Sequence, residues 1–187
     1  MGRREPLAKS VASLLLVGFS LLPLQTSEHI QNGGFESGGP GGVPASWSYS
    51  NATLARATSP VRQGSYSGAL TTSGQGLFFQ DVAVAAGGTY SLTGYALKNT
   101  DSAREVYLQV AWIDAQGLEI LSVPTERVTY NSQSFVSLSI SNMTAPNNAS
   151  KARIKGVLIA SGYSATAYFD DISFSGGASQ GSGASSS

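Results

Sequence analysis

From Ile30 onward apolar and polar residues alternate with a period of two, and helix periodicity is hard to find. The clearest run covers residues 77–84, where Phe78, Gln80, Val82 and Val84 fall on one side and Leu77, Phe79, Asp81 and Ala83 on the other. Gly87-Gly88 then makes a hairpin turn into residues 89–98, with Tyr90, Leu92, Gly94 and Ala96 on one face and Ser91, Thr93, Tyr95 and Leu97 opposite. After a turn at Asn99-Thr100-Asp101, residues 106–114 send Val106, Leu108, Val110 and Trp112 one way and Tyr107, Gln109, Ala111 and Ile113 the other. Trp47 and Tyr49 open a strand expected to run to Ala55, and residues 64–70 form a turn leading into a short strand. Residues 135–140, 152–160 and 166–174 complete the set, with loops over 38–44 and 145–149. About eight to ten short strands, bounded by Gly, Pro, Asn and Asp, predict an all-β antiparallel sandwich of two sheets.

The two ends of the chain read differently. Residues 1–27 carry Arg3, Arg4 and Lys9 ahead of an apolar run over 11–24, the pattern of a signal peptide for export. The run is short for a bilayer span, which needs about 20 apolar residues. An uncleaved anchor is the alternative, because no small-x-small pair stands cleanly before Glu28. Removing Arg3, Arg4, Lys9 and Glu5 from eleven residues of each sign leaves eight basic and ten acidic. Residues 176–187 are almost entirely Gly, Ser and Ala, the composition of a disordered tail or of a linker to a second module. The organisation expected is therefore a leader over 1–27, one sandwich over 28–175 and a Gly/Ser-rich tail over 176–187.

Charge and cysteine narrow the chemistry. Charged residues are only 12% of the chain and hydrophobic residues 41%, which suits a secreted or cell-surface β-protein. With a net charge of zero there is no basic face for a nucleic acid, and no membrane partner is expected beyond the leader. Cysteine is absent, which excludes disulfides and thiolate chemistry. The one histidine, His29, precedes the first predicted strand, so a triad built on an imidazole inside the fold is excluded too. Asp81, Asp114, Glu119 and Glu126 sit at strand ends or turns, where solvated acids are the default, and the expectation is that the chain is not an enzyme. Asn51, Asn142 and Asn148 head glycosylation sequons that matter only in a source that glycosylates its exported proteins.

Several landmarks occur in one order: Asn32-Gly33-Gly34-Phe35-Glu36, Pro44-Ala45-Ser46-Trp47, Gln80-Asp81-Val82-Ala83-Val84, Gly88-Thr89-Tyr90-Ser91-Leu92, Trp112-Ile113-Asp114-Ala115-Gln116-Gly117, Ala145-Pro146 and Phe169-Asp170-Asp171-Ile172. In that order they resemble the galactose-binding-like jelly rolls of carbohydrate-binding modules of families four, nine and twenty-two, over residues 30–175. The resemblance implies a structural calcium where the two ends of the domain meet. Carried over, Glu36 supplies a carboxylate, Gly34 a backbone carbonyl, and Asp170 carboxylate and backbone oxygen, with a further carbonyl from residues 64–67. Alternation turns only one of Asp170 and Asp171 toward the ion, and Asp170 is preferred because it shares parity with Ile172 and Phe174 but sits nearer the strand end.

In such modules the ligand lies across a sheet face or at the loop tips. If Tyr90 and Leu92 face the core, then Tyr95, Tyr107 and Gln109 fall on the opposite face, flanked by Arg104, Arg127 or Lys155, and stack on or hydrogen-bond to sugar. Tyr163, between Gly162 and Ser164, is the candidate for a tip site. Trp47 and Trp112 sit in phase with apolar neighbours and read as core anchors. The function expected is non-catalytic binding of a polysaccharide or surface glycan. The alternative is a structural or adhesive protein that uses the same sandwich for protein contacts.

Overall fold

The computed structural model describes residues 27–177. The expected leader up to residue 26, and the expected tail beyond Gly177, lie outside the described residues, while Ser27, expected to end the leader, is in a strand. Eleven strands are present among them: β1 (Ser27–Glu28), β2 (Ser48–Ser50), β3 (Thr53–Ala57), β4 (Ser67–Thr72), β5 (Gln75–Ala83), β6 (Thr89–Leu97), β7 (Ala103–Asp114), β8 (Glu119–Pro124), β9 (Val136–Thr144), β10 (Ala149–Ala160) and β11 (Ala165–Gly177). One short 3-10 turn, Pro40–Gly42, interrupts the loop before β2.

The strands form two antiparallel sheets. One runs β3-β4-β11-β6-β9, with β1 added beside the end of β11; the other runs β2-β5-β10-β7-β8. The all-β, two-sheet sandwich read from the alternation is therefore the architecture observed. The expected inward faces are also observed: Tyr90, Leu92 and Ala96 of β6, Val106, Leu108, Val110 and Trp112 of β7, and Phe78 of β5 are all buried between the sheets.

Aromatic rings fill the gap in two connected groups. Phe78 meets Phe169, Trp47 and Phe35 edge-on at centroid distances of 4.9, 5.0 and 5.7 Å, while Tyr90 stacks flat on Phe174 at 5.1 Å beside Trp112. Each such ring buries a large apolar area, roughly 150–250 Å², so a chain without disulfides is held by this layer. Trp47 and Trp112 are the core anchors expected.

Three local readings are corrected. The strand expected from Trp47 to Ala55 is two: β2 lies in the five-stranded sheet, the chain turns at Asn51 in a left-handed conformation (φ 52°), and β3 joins the other sheet. Strand β11 runs two residues into the expected tail, because Ser175 and Gly176 pair with Glu28 and Ser27. Finally, Asp170 does not share a face with Ile172 and Phe174. The register of β11 against β6 shifts between Asp170 and Ser173, and Asp171 is left-handed (φ 49°), so an extra residue is accommodated as a bulge. Before the bulge odd-numbered residues point inward, after it even-numbered ones do. Asp170, paired with Tyr95, points away from the core.

Candidate functional site

The two ends of the domain meet at that bulge. Asn32 (φ 58°) organises the first end. Its side-chain amide donates to the carbonyls of Ser37 and Ala45 at 2.9 Å each, and its carbonyl accepts from Trp47 Nε1 at 2.9 Å and Phe35 N at 3.0 Å. Gly33 lies directly on the bulge: Ile172 N donates to its carbonyl at 3.0 Å, and a Cβ at this position would stand 1.9 Å from the Ile172 carbonyl oxygen. Only glycine permits this approach.

The next residues carry the acids. Glu36 Oε1 accepts from Ser65 N at 3.0 Å and Tyr66 N at 3.1 Å; Asp170 Oδ2 accepts from Arg62 N at 2.9 Å and Gln63 N at 3.3 Å. Two carboxylates thus hold the loop between β3 and β4 from beneath, and Gly64 (φ 76°) passes so close that a Cβ there would meet Glu36 Oε1 at 2.2 Å. Asp170 is fully buried, and burial pushes its carboxyl above the usual range, partly offset by the backbone N–H groups of Arg62 and Gln63. Asp171 beside it pairs with Arg62 Nη1 at 2.5 Å.

Gly34, Glu36 and Asp170 lie near one another, with the Glu36 and Asp170 carboxylates each turned to backbone N–H groups of residues 62–66. From an ideal Cβ on Gly34, Glu36 Cγ is 3.8 Å away, Asp170 Oδ1 3.9 Å and Asp171 Oδ1 3.7 Å. The donors are carboxylate and carbonyl oxygens, with no imidazole or thiolate, which in kind fits calcium rather than a transition metal. Among the described residues no group of three or more Asp, Glu, His or Cys side chains is placed to hold an ion by itself.

The residues expected to bind sugar are not brought together. Tyr95, on β6, faces outward from the six-stranded sheet, and the Arg62 guanidinium lies 3.5 Å above its ring centre. Tyr107 and Gln109, on β7, face outward from the five-stranded sheet, on the far side of the sandwich. The shared face expected for the three is corrected for this reason: alternation distinguishes inward from outward but not one sheet from the other. Tyr163 is 75% exposed in the turn between β10 and β11.

Gln109 and Tyr107 instead lie beside Lys155 and Arg127, two of the flanking residues the sequence suggested, and beside Phe79 and Arg153, which the sequence reading passed over. Register places Phe79, Lys155, Gln109 and Pro124 in one cross-strand row, Asp81, Arg153, Ala111 and Ser122 in the next, and Leu77, Val157 and Tyr107 in a third. All point outward. Ala111 and Val157 are nonetheless buried beneath the longer side chains on either side of them, so the middle of this face is a trough of small residues that its neighbours' side chains fill.

Three ion pairs line the trough. Arg153 binds Asp81 through Nε at 2.6 Å and Nη2 at 2.8 Å, Lys155 binds Glu119 at 3.0 Å, and Arg127 binds Glu105. Arg153 also lies 4.4 Å over Phe79 and Arg127 4.7 Å over Tyr107, which is only 6% exposed. Hydrogen bonds from Arg153 hold the Asp81 carboxyl below the usual range, and those from Ser122 and Lys155 do the same for Glu119. Burial pushes the Tyr107 phenol up, opposed by Arg127.

No family model and no curated protein sequence matches the chain. Solved structures do. The C-terminal family 22 carbohydrate-binding module of Clostridium thermocellum Xyn10B superposes with a TM-score of 0.61 at 14% identity, covering 80% of this chain and 91% of that one. TmCBM61, in complex with β-1,4-galactotriose, gives 0.55 at 18% identity, covering 79% and 97%. The enzymatically active domain of bacteriophage CBA120 tailspike protein 4 gives 0.60 at 16% identity; the match covers 79% of this chain but only 21% of the tailspike chain. The fold is the jelly-roll sandwich of these carbohydrate-binding modules, and it makes up nearly all of some matched chains and about a fifth of another.

Proposed function

We propose that the chain is a non-catalytic glycan-binding module of an exported protein, and that it binds through the outer face of the five-stranded sheet. The observation that carries the reading is the trough itself. An outward sheet face that carries an amide at Gln109 and three hydrogen-bonding ion pairs offers what sugar hydroxyls need. A domain that merely covered its own core would call for none of this. The jelly-roll fold shared with modules described as bound to galactotriose, or studied for ligand binding in their cleft, supports the same reading. Calcium at Gly34, Glu36 and Asp170 belongs to the proposal as a stabiliser, clamping the loop over residues 62–66 to the bulge.

The test is affinity electrophoresis of the purified protein through gels containing neutral and acidic polysaccharides, with Gln109→Ala and Lys155→Ala beside the parent. Retardation by one glycan class, lost in both variants, supports the reading; retardation by none sinks it. The adhesive alternative draws on a specific observation, since Tyr107 is buried rather than presented and Leu118 and Leu121 are exposed on the β7–β8 hairpin. It gains if no glycan is retained.

A further inference from the structure

The trough has a charge pattern that selects among glycans. We infer that it takes a polymer of uronic acid residues in preference to a neutral polysaccharide, an inference that rests on the glycan reading of this face. Strand β10 is the middle strand of the five, and its outward side chains at alternate positions are Lys151, Arg153 and Lys155. Alternate residues on a strand are about 6.6 Å apart, so the three cations form a spine along the centre of the face. The acidic partners of Arg153 and Lys155 stand to the sides, Asp81 on β5 and Glu119 on β8; Glu105, near the start of β7, pairs with Arg127, and Lys151 is exposed.

Stacking is the usual way a neutral sugar gains affinity, and here both outward rings are covered. The guanidinium groups of Arg153 and Arg127 occupy the faces of Phe79 and Tyr107 that a sugar C–H surface would use. What faces the solvent is a set of ion pairs with the cations of β10 at the centre, and among these cations Lys151 is held in no ion pair with a described residue. The side chain of Lys155 is 13% exposed and that of Glu119 48%, so the ammonium lies down in the trough while its partner stands at the rim. A carboxylate on the ligand can take the place of Glu119 at Lys155 and keep the ammonium paired. A neutral chain laid over the same groups would strip water from them and return only hydroxyl contacts, leaving desolvated charge poorly compensated.

The experiment compares hexagalacturonate with the same oligomer after reduction of its carboxylates to primary alcohols, each titrated calorimetrically into the intact protein at one fixed calcium concentration. The expected result is that reduction weakens binding about tenfold or more, the loss of charge-assisted hydrogen bonds. Raising NaCl from roughly 50 to 500 mM should weaken only the charged oligomer. Lys155→Gln, and separately Lys151→Gln, which disturbs no ion pair, should narrow the difference between the two oligomers. Equal binding of both overturns the inference and leaves the glycan face standing. Binding of neither, with no retention in the neutral gels, overturns both.

Discussion

Gly33→Ala tests whether the two ends of the domain depend on one close approach. The added Cβ would lie 1.9 Å from the Ile172 carbonyl oxygen and 2.9 Å from its carbon, and both are backbone atoms that no rotamer change can move. Real Cβ contacts stay beyond 3.0 Å, so the segment before Phe35 and the bulge of β11 must separate by about 1 Å. That movement breaks the 3.0 Å hydrogen bond from Ile172 N to the Gly33 carbonyl, leaving buried polar groups unmatched at about 1–3 kcal/mol. It also disturbs the packing of Phe35, which stacks on Trp47. Together these come to about 3–4 kcal/mol, or about 10 °C in Tm for a domain of this size. The control is Gly74→Ala, where a Cβ has nothing within 4 Å; it should leave Tm within about 2 °C of the parent. Thermal unfolding followed by circular dichroism measures both. A Gly33→Ala protein that melts with the control would show that the approach is not a constraint on the fold.

Other outcomes follow from groups already placed. In the presence of a chelator, ionising Asp170 disfavours the folded state, because its carboxyl is raised above the unfolded value. Stability should therefore fall as pH rises from the unfolded carboxylate range through the raised folded value, and Asp170→Asn should flatten that slope in urea titrations. Calcium should raise Tm of the parent more at pH 7 than at pH 4.5 and leave Asp170→Asn unmoved; equal gains at both pH values would place the ion elsewhere. Asp81 shifts the other way: its contribution is present above the unfolded value and lost as pH falls through the lowered folded one. Because the pair is about a third exposed, Asp81→Asn should cost no more than about 1 kcal/mol at neutral pH, read as a small change in the urea midpoint. Gln80→Ala should cost more, about 2–3 kcal/mol, because this nearly buried amide accepts from Gln31 N and donates to the carbonyls of Gln31 and Ser46; chemical denaturation would reveal a smaller loss.

Much of the sandwich is legible in the sequence because inward-facing side chains obey a strict period, as in Phe78, Tyr90 and Trp112. The junction of Gly33 with Ile172 is legible for a different reason: the landmarks Asn32-Gly33-Gly34-Phe35-Glu36 and Phe169-Asp170-Asp171-Ile172 carry the resemblance that implies the two ends meet, while alternation alone reads residues 166–174 as plain strand. What alternation cannot carry is the assignment of a strand to a sheet, and Tyr95 and Tyr107 consequently looked like neighbours. The bulge hid the facing of Asp170, since one inserted residue reverses the parity of everything after it. What escaped on the other face is the pairing of its charges, because the pairs are long-range. Arg153 and Asp81 lie 72 residues apart, and nothing local to either announces the other, although Lys151, Arg153 and Lys155 already alternate on the page.

The short pairing of Ser27 and Glu28 with Gly176 and Ser175 has a mechanical consequence. Glu28 fastens it, accepting from the backbone of His29, Ile30 and Phe174 and from the Ser173 hydroxyl. Since the two strands run antiparallel, tension between whatever precedes Ser27 and whatever follows Gly177 pulls them apart one rung at a time, like a zip, without shearing the sheets. The rest of the sandwich, with its ligand face, hangs beside the line of force as a pendant, and a tug on the chain should free the first strand long before it disturbs the trough.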